Sequence, residues 1–151
     1  MVNITALHAR AVLPPFRRPP VSASGALPRA ALVLFDLETD AGVTGRSYVF
    51  GFAAWTLPAI VTCAQGLFAM IAGDPLAPLD LEAKLRRQTT LIDPNGLIGL
   101  ALAGLDMAAW DALARAHGLP LVTLLGGAPR DVALDHRPRN RCGKRLRRRV
   151  S

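Results

Sequence analysis

The stretch ALAGLDMAAWDALAR, residues 101–115, carries the strongest structural signal in the chain. Small and apolar residues recur close to one stripe of a helix that contains this stretch, and they are Leu97, Ala101, Gly104, Leu105, Ala108 and Leu113. Because Gly104 and Ala108 have such small side chains, a neighbouring element can approach this stripe closely. The stretch therefore predicts a long helix that packs against another part of the fold.

The residues on either side supply start and stop signals for this helix. Asp93 is suited to the N-cap and Pro94 to the first helical position. After His117, Gly118 and Pro120 end the helical run. The sequence therefore predicts a helix from the Asp93 cap to His117.

Two carboxylates on this helix could be taken for metal ligands, but helix geometry excludes a shared metal ion. Asp106 and Asp111 are five positions apart, so they lie about 140° apart around the axis and cannot share one metal ion from one face. Asp111 is instead expected to pair with Arg115, four positions further on. The two cysteines, Cys63 and Cys142, form no Cys-x-x-Cys motif, so neither a zinc site nor a disulfide framework is predicted.

Upstream of the helix the sequence has the pattern of strands. Ile4–Leu13, Ala30–Thr39 and Val43–Phe50 have strand patterns, and turn chemistry at Asp40–Gly42 joins the last two as a hairpin. Residues Arg17–Pro28 are rich in Pro, Ser and Gly and read as a long exposed loop. The chain is therefore predicted to be an α+β fold, with a three-stranded antiparallel sheet followed by a helical bundle.

Between Arg46 and Asp74 no residue carries a charge, and this leaves two interpretations of Ala53–Ala72 open. A transmembrane helix needs about 20 residues, and the segment is just long enough. It is rich in alanine, however, and is interrupted by Gln65 and Gly66, so a well-buried helix fits equally. A small membrane-anchored protein stays an alternative at this point.

Length and charge restrict the fold and the partners. The 151 residues make one domain and are too few for a complete (β/α)₈ barrel of roughly 250 residues. Of the 18 basic residues, 8 lie in residues 136–151, where no acidic residue occurs. Residues 1–135 carry 10 basic and 11 acidic groups, so the body of the chain is nearly neutral. The net charge of +7 therefore comes from a basic tail.

Several motifs together resemble the mandelate racemase and muconate lactonizing enzyme group of the enolase superfamily. They are the 101–115 stretch, then Gly118–Leu121 and Leu124–Gly127, with further similarity at 34–48 and 73–83. The resemblance covers about Ile4 to Asp135. It implies that the chain is the N-terminal capping domain of such an enzyme, with the barrel domain absent.

The resemblance also implies a chemistry. Members of this group abstract the proton α to a carboxylate, in racemase, dehydratase or cycloisomerase reactions on 2-hydroxy acids and related small molecules, with Mg²⁺ held by three barrel carboxylates. A Lys-x-Lys pair or a His-Asp dyad supplies the base, and the only lysines here are Lys84 and Lys144. We therefore expect no catalytic residue, no metal ligand and no cofactor in this chain, which is expected to be inactive alone.

The group's capping domains close the barrel and select the substrate through two loops. By position these are Pro19–Arg29 and Phe50–Ala53, and Val21, Leu27 and Phe52 are the expected substrate-binding residues. A separate barrel domain is one expected partner. Self-association is another, because loss of the barrel would expose the helix face that includes Gly104 and Ala108.

The resemblance stops abruptly after residues 132–135, which suit the start of a barrel strand. We expect a capping domain over residues 1–135 and a tail over 136–151 that arises from a shifted or truncated reading frame. The alternative is that Lys144–Arg149 binds nucleic acid or another anionic surface through charge alone. No secretory signal pattern is visible, so a cytoplasmic location is expected.

Overall fold

The computed structural model describes residues 1–22, 25–92 and 95–131. Its five strands are β1 (Ile4–Val12), β2 (Val21–Ser22), β3 (Gly25–Ala26), β4 (Leu32–Thr39) and β5 (Thr44–Phe50). The three long strands form one antiparallel sheet in the order β1–β4–β5, and the two short strands pair with each other. The predicted three-stranded sheet is therefore confirmed.

The helices follow the sheet in sequence, as the α+β prediction requires. They are α1 (Leu57–Ala69), α2 (Pro78–Gln88), α3 (Gly96–Ala116) and α4 (Leu121–Leu124), with short 3₁₀ turns at Ala54–Thr56 and Thr90–Ile92. Helices α1 and α3 pack on one face of the sheet, and α2 packs against α3. The core lies between that sheet face and the helices.

The central strand β4 shows why the sheet has one buried face. Its residues alternate strictly, and Val33, Phe35 and Leu37 point into the core while Asp36 lies on the opposite face. On that opposite face the Asp36 carboxylate accepts a hydrogen bond from Arg10 at 3.0 Å and lies 3.3 Å from Arg46. Burying alternate apolar side chains fixes the register, because a slip of one residue would bury the charges.

Helix α3 lies very close to the sheet at two glycines. A Cβ atom at Gly104 would overlap the ring of Phe35, and one at Gly45 in β5 would lie 2.7 Å from the Ala112 Cβ. The predicted close approach at Gly104 and Ala108 is therefore confirmed. The expectation that this helix face would be exposed without a barrel is wrong, because the sheet itself covers it.

The ends of two helices differ from the prediction. Helix α1 has 13 residues, Leu57–Ala69, instead of filling Ala53–Ala72, because a 3₁₀ turn precedes it and Gly73, with φ 84°, lies in the turn that follows. Helix α3 begins at Gly96 with Asn95 as its N-cap. The predicted cap at Asp93 and Pro94 lies outside the described residues.

The helix suggested as a membrane anchor is too short for that role. Thirteen residues rise about 20 Å, against a hydrocarbon core of about 30 Å. Within the described residues, α3 is the one helix with sufficient length and apolar character to cross a bilayer, and 44% of its most apolar window is buried inside the protein. Because α3 packs against β4, β5 and α1, its apolar character is explained by the core.

The proposed domain boundary and the basic tail, residues 136–151, lie outside the described residues. The boundary at Asp135, the shifted reading frame and the anionic-surface alternative therefore stay predictions.

Candidate functional site

Two loops leave the sheet at the same end. Strand β1 ends beside the start of β4, since Val12 pairs with Leu32. Strand β5 ends there too, because Phe50 pairs with Leu32 and the Gly51 N–H donates to the Ala31 carbonyl at 2.8 Å. The segment between β1 and β4 and the segment after β5 therefore emerge side by side.

The first of these segments is an arm, which we define as residues 14–22 and 25–30. Its two sides are joined by backbone hydrogen bonds from Ala30 to Pro14 (2.9 Å), from Phe16 to Pro28 (3.1 Å) and from Leu27 to Pro20 (2.9 Å). The segment is exposed, as predicted for a long loop, and the structure adds that its two sides pair and end in β2 and β3. Prolines hide this pairing in the sequence, since they break the strand pattern.

The second segment holds Phe52 in an unusual conformation. Its φ is 63°, in the left-handed region that costs a non-glycine residue of order 1 kcal/mol or more. Its ring is 72% exposed and lies edge-to-face on the Phe50 ring, with centroids 5.0 Å apart and an interplanar angle of 89°. Strained residues cluster at active sites and ligand clamps, so Phe52 is a candidate binding residue.

Local contacts hold this strained segment in place. The Thr56 hydroxyl donates to the Gly51 carbonyl at 2.6 Å, and its oxygen also lies 2.7 Å from the Ala53 carbonyl oxygen. A Cβ atom at Gly51 would lie 2.6 Å from the Leu57 side chain, which would then have to shift. The segment is therefore fixed to the start of α1, and Phe52 is presented from a rigid base.

The three predicted substrate-binding residues lie in these two segments. Val21, in β2, is 80% exposed, and Leu27 is half-buried on the opposite side of the arm. Together with Phe52 they present apolar surface on segments that leave the same end of the sheet. Sequence reasoning missed Phe50, whose signal was the Phe-Gly-Phe spacing of residues 50–52.

The carboxylates on α3 have different surroundings. Burial raises the pKa of Asp106, and the neighbouring Glu82 carboxylate on α2 raises it further, while a hydrogen bond from Trp110 and the charge of Arg86 oppose the rise. Glu82 and Arg86 from α2 and Asp106 from α3 line the cleft between the two helices.

The Asp111 carboxylate accepts hydrogen bonds from two arginines of the domain. Its Oδ2 accepts hydrogen bonds from the Arg115 side chain at 2.6 Å and from the Arg46 backbone N–H at 2.8 Å, so the predicted pair with Arg115 is confirmed. Within residues 1–22, 25–92 and 95–131, no three His, Cys, Asp or Glu side chains come together as metal ligands would.

An α+β domain of this kind, with two segments projecting from one end of a three-stranded sheet, has the form of a capping domain. The profile of the mandelate racemase / muconate lactonizing enzyme N-terminal domain matches residues 4–126. The chain therefore belongs to this family and spans its N-terminal domain.

Solved and curated relatives agree with this assignment. An enolase from Bradyrhizobium, crystallised with magnesium and mandelic acid, is 42% identical with a TM-score of 0.82, and the match covers 85% of this chain and 36% of that one. D-galactarolactone cycloisomerase from Agrobacterium fabrum is 31% identical over 86% of this chain and 34% of its own. D-galactonate dehydratase from Xanthomonas axonopodis pv. citri is 32% identical over 63% of this chain and 24% of its own. The chain thus spans about a third or less of these relatives.

Proposed function

We propose that this chain is the capping domain that selects the substrate for a magnesium-dependent enzyme of the family, and that the substrate is a small 2-hydroxy carboxylate with an apolar, aromatic side group. The exposed Phe52 ring, held at φ 63° against Phe50, is the observation that carries this proposal. One fold serves many substrates, so the loop residues and not the fold decide which substrate is bound.

The character of the two segments supports an aromatic side group over a sugar chain. Val21, Leu27 and Phe52 offer no hydrogen-bond donor or acceptor in their side chains. A polyhydroxy acid would lose hydrogen bonds to water against such a surface, while a phenyl ring would bury apolar area and stack on Phe52. Both kinds of substrate occur among the names of the relatives, since one structure holds mandelic acid and two relatives act on galactose acids or lactones.

The chemical step belongs to the part of the relatives that this chain does not span. The described residues offer no site for magnesium, so the metal and the proton-abstracting base are proposed to come from the second domain. Val21, Leu27 and Phe52 bind the side group of the substrate. They also exclude water from the carboxylate end of the substrate, because a drier site strengthens electrostatic interactions. The isolated chain is expected to show no turnover.

A chimera tests this proposal. In the Bradyrhizobium enolase, the matching N-terminal domain is replaced by residues 4–126 of this chain, and binding of mandelate and of D-galactonate is measured by calorimetry with magnesium present. We expect tighter binding of mandelate. The Phe52→Ser variant is expected to weaken mandelate binding by about tenfold, the effect of losing one aromatic contact.

Leu79→Ser is the matched control, because Leu79 is also an exposed apolar residue but lies on α2, away from both segments. It should leave mandelate affinity unchanged. The proposal is wrong if the chimera prefers D-galactonate, or if Phe52→Ser binds mandelate as tightly as the parent chimera does.

A further inference from the structure

The arm carries positive charge as well as apolar side chains. Residues 14–30 contain three arginines, Arg17, Arg18 and Arg29, and no acidic residue, while the rest of residues 1–135 contains 7 basic and 11 acidic residues. The arm is therefore a positively charged projection on a domain whose remaining part is net negative. Such a charge attracts anions over about one Debye length, roughly 10 Å at 0.1 M salt.

The three arginines of the arm have no carboxylate partner. Four arginines of the strands and helices each lie within 3.3 Å of a carboxylate oxygen, and they are Arg10, Arg46, Arg86 and Arg115. In the part of the chain that the structure describes, no carboxylate pairs with an arginine of the arm. Their charge is therefore not neutralised within the domain.

The backbone of the arm fixes where these charges lie. Pro15 and Arg29 face each other as a bridge close to the sheet, and the Arg29 side chain donates to the Leu13 carbonyl at 3.4 Å. Arg17 and Arg18 follow Pro15 along the arm, and the two prolines directly after them restrict their backbone. The charged part of the arm therefore lies between the sheet and the tip formed by β2 and β3.

All three guanidinium groups belong to residues that are exposed. An exposed arginine holds a carboxylate weakly, because water and salt screen the pair. Three neighbouring charges without acidic partners nevertheless add up to a positive potential, and this raises the local concentration of anions. The arm is therefore suited to collecting carboxylates rather than to holding one in a fixed ion pair.

We propose that Arg17, Arg18 and Arg29 collect the anionic substrate and raise its concentration beside the apolar residues of the two loops. This inference rests on the proposed role of the arm in substrate binding. It concerns the carboxylate that all these substrates share, so it does not depend on the preference for an aromatic side group.

Paramagnetic relaxation of backbone amide protons measures where anions collect on the full 151-residue chain. The probe is the carboxylate radical 3-carboxy-PROXYL, and the neutral 3-carbamoyl-PROXYL is the reference. At the amides of the arm we expect the carboxylate radical to be enriched about threefold over the neutral one at 50 mM salt. At 1 M salt, where the Debye length is about 3 Å, the enrichment should disappear.

A triple variant, Arg17→Gln with Arg18→Gln and Arg29→Gln, should remove the enrichment at the arm. The basic residues 136–151 stay in this variant, so their charge does not account for the difference. The double variant that keeps Arg29 and its bond to Leu13 should lose about half of the enrichment or more. The amide spectrum reports in the same experiment whether each variant is folded.

Arg87→Gln is the matched control. Arg87 is also exposed and has no carboxylate partner in the described ranges, but it lies on α2. Its substitution should leave the enrichment at the arm unchanged.

The consequence for substrate is measured in the chimera with the Bradyrhizobium second domain. The triple variant should weaken the binding of mandelate and of D-galactonate by the same factor, about threefold at 50 mM salt, and should weaken neither at 1 M salt. Phe52→Ser, in contrast, should change the preference between the two acids. Charge collection and side-group selectivity therefore succeed or fail separately.

Three results would overturn the proposal. The first is a carboxylate radical that is not enriched at the arm of the full chain. The second is enrichment that survives in the triple variant, which would assign it to residues 136–151. The third is a triple variant that loses affinity for one of the two acids only, which would assign the arginines to a contact with its side group.

Discussion

Gly104 is one of the two glycines at which α3 and the sheet lie very close together. Replacing it with alanine would push a methyl group into the Phe35 ring, which is fully buried and cannot move away. We expect Gly104→Ala to lower the free energy of unfolding by about 1–3 kcal/mol, as overpacking of a core does. Urea denaturation followed by circular dichroism measures this change.

Gly66 is the matched control, since it is also a helical glycine but a Cβ atom there would meet nothing within 4 Å. Gly66→Ala should raise the free energy of unfolding by about 0.5–1 kcal/mol, because alanine is the better helix former. Equal effects of the two changes would show that helix α3 does not approach the sheet as described.

Asp106 makes the stability of the fold depend on pH in a direction that follows from its pKa. Its pKa in the folded protein is raised above the ordinary 3.8, chiefly by burial, so the folded state holds the proton more tightly than the unfolded state does. The charged form therefore destabilises the fold, and this loss develops as the pH rises through the interval from 3.8 to the raised value. Asparagine cannot ionise, so Asp106→Asn should remove this loss of stability. The variant should therefore gain stability relative to the parent as the pH rises from 3 to neutral.

Asp40 should behave in the opposite way. The backbone N–H of Asn3 donates to its Oδ1 and the Asn3 side chain to its Oδ2, both at 2.9 Å, and these bonds lower the pKa of Asp40. The ionised Asp40 therefore stabilises the folded state above pH 3.8, and this stabilisation is lost as the pH falls through the lowered pKa. Thermal midpoints of Asp106→Asn and Asp40→Asn from pH 3 to 7 should diverge, and parallel curves would contradict both assignments.

At the scale of elements, the end of α2 is fixed by a buried hydroxyl. Thr89 is 2% exposed, and its hydroxyl donates to the Leu85 carbonyl at 2.9 Å. Thr89→Val keeps the shape but removes this bond, so the free energy of unfolding should fall by about 1 kcal/mol. The neighbouring Thr90 makes a similar bond to Arg86 but is exposed, where water replaces it, so Thr90→Val should cost little.

The two threonines are compared by urea denaturation of each single variant. A Thr90→Val effect as large as that of Thr89→Val would mean that burial is not the cause of the difference.

The sequence was sufficient for the order and type of the main elements, because alternation in β4 and the small-residue stripe of α3 are strong periodic signals. It was weaker at element ends. For α3, both Asp93 and Asn95 are suitable cap residues. In the uncharged run Ala53–Ala72, polar and apolar residues do not alternate in a way that shows where the helix ends.

The candidate site was predictable only in outline. The positions of the two loops followed from the family resemblance, but the left-handed φ of Phe52 has no sequence signal, since only glycine announces that conformation.

At the scale of the whole molecule, charge is divided unequally along the chain. Residues 1–135 are nearly neutral, and 8 basic residues without any acidic one follow in residues 136–151. We expect any binding of the chain to nonspecific duplex DNA to fall steeply between 50 and 200 mM salt, as charge-driven binding does. Removal of residues 136–151 should abolish it in a filter-binding assay, and binding that survives this removal would place the anion-binding surface on the capping domain.

The base of the arm has a consequence for how such domains diversify. The bond from the Ala30 N–H to the Pro14 carbonyl closes the arm where it meets the sheet, so its length and sequence beyond that point are not tied to the core. Exposed loops tolerate insertions and replacements, so changes between these residues alter the surface offered to a substrate at a small cost in folding. Descendants of one ancestral gene can thus acquire new substrates by exchanging a single short segment of coding sequence.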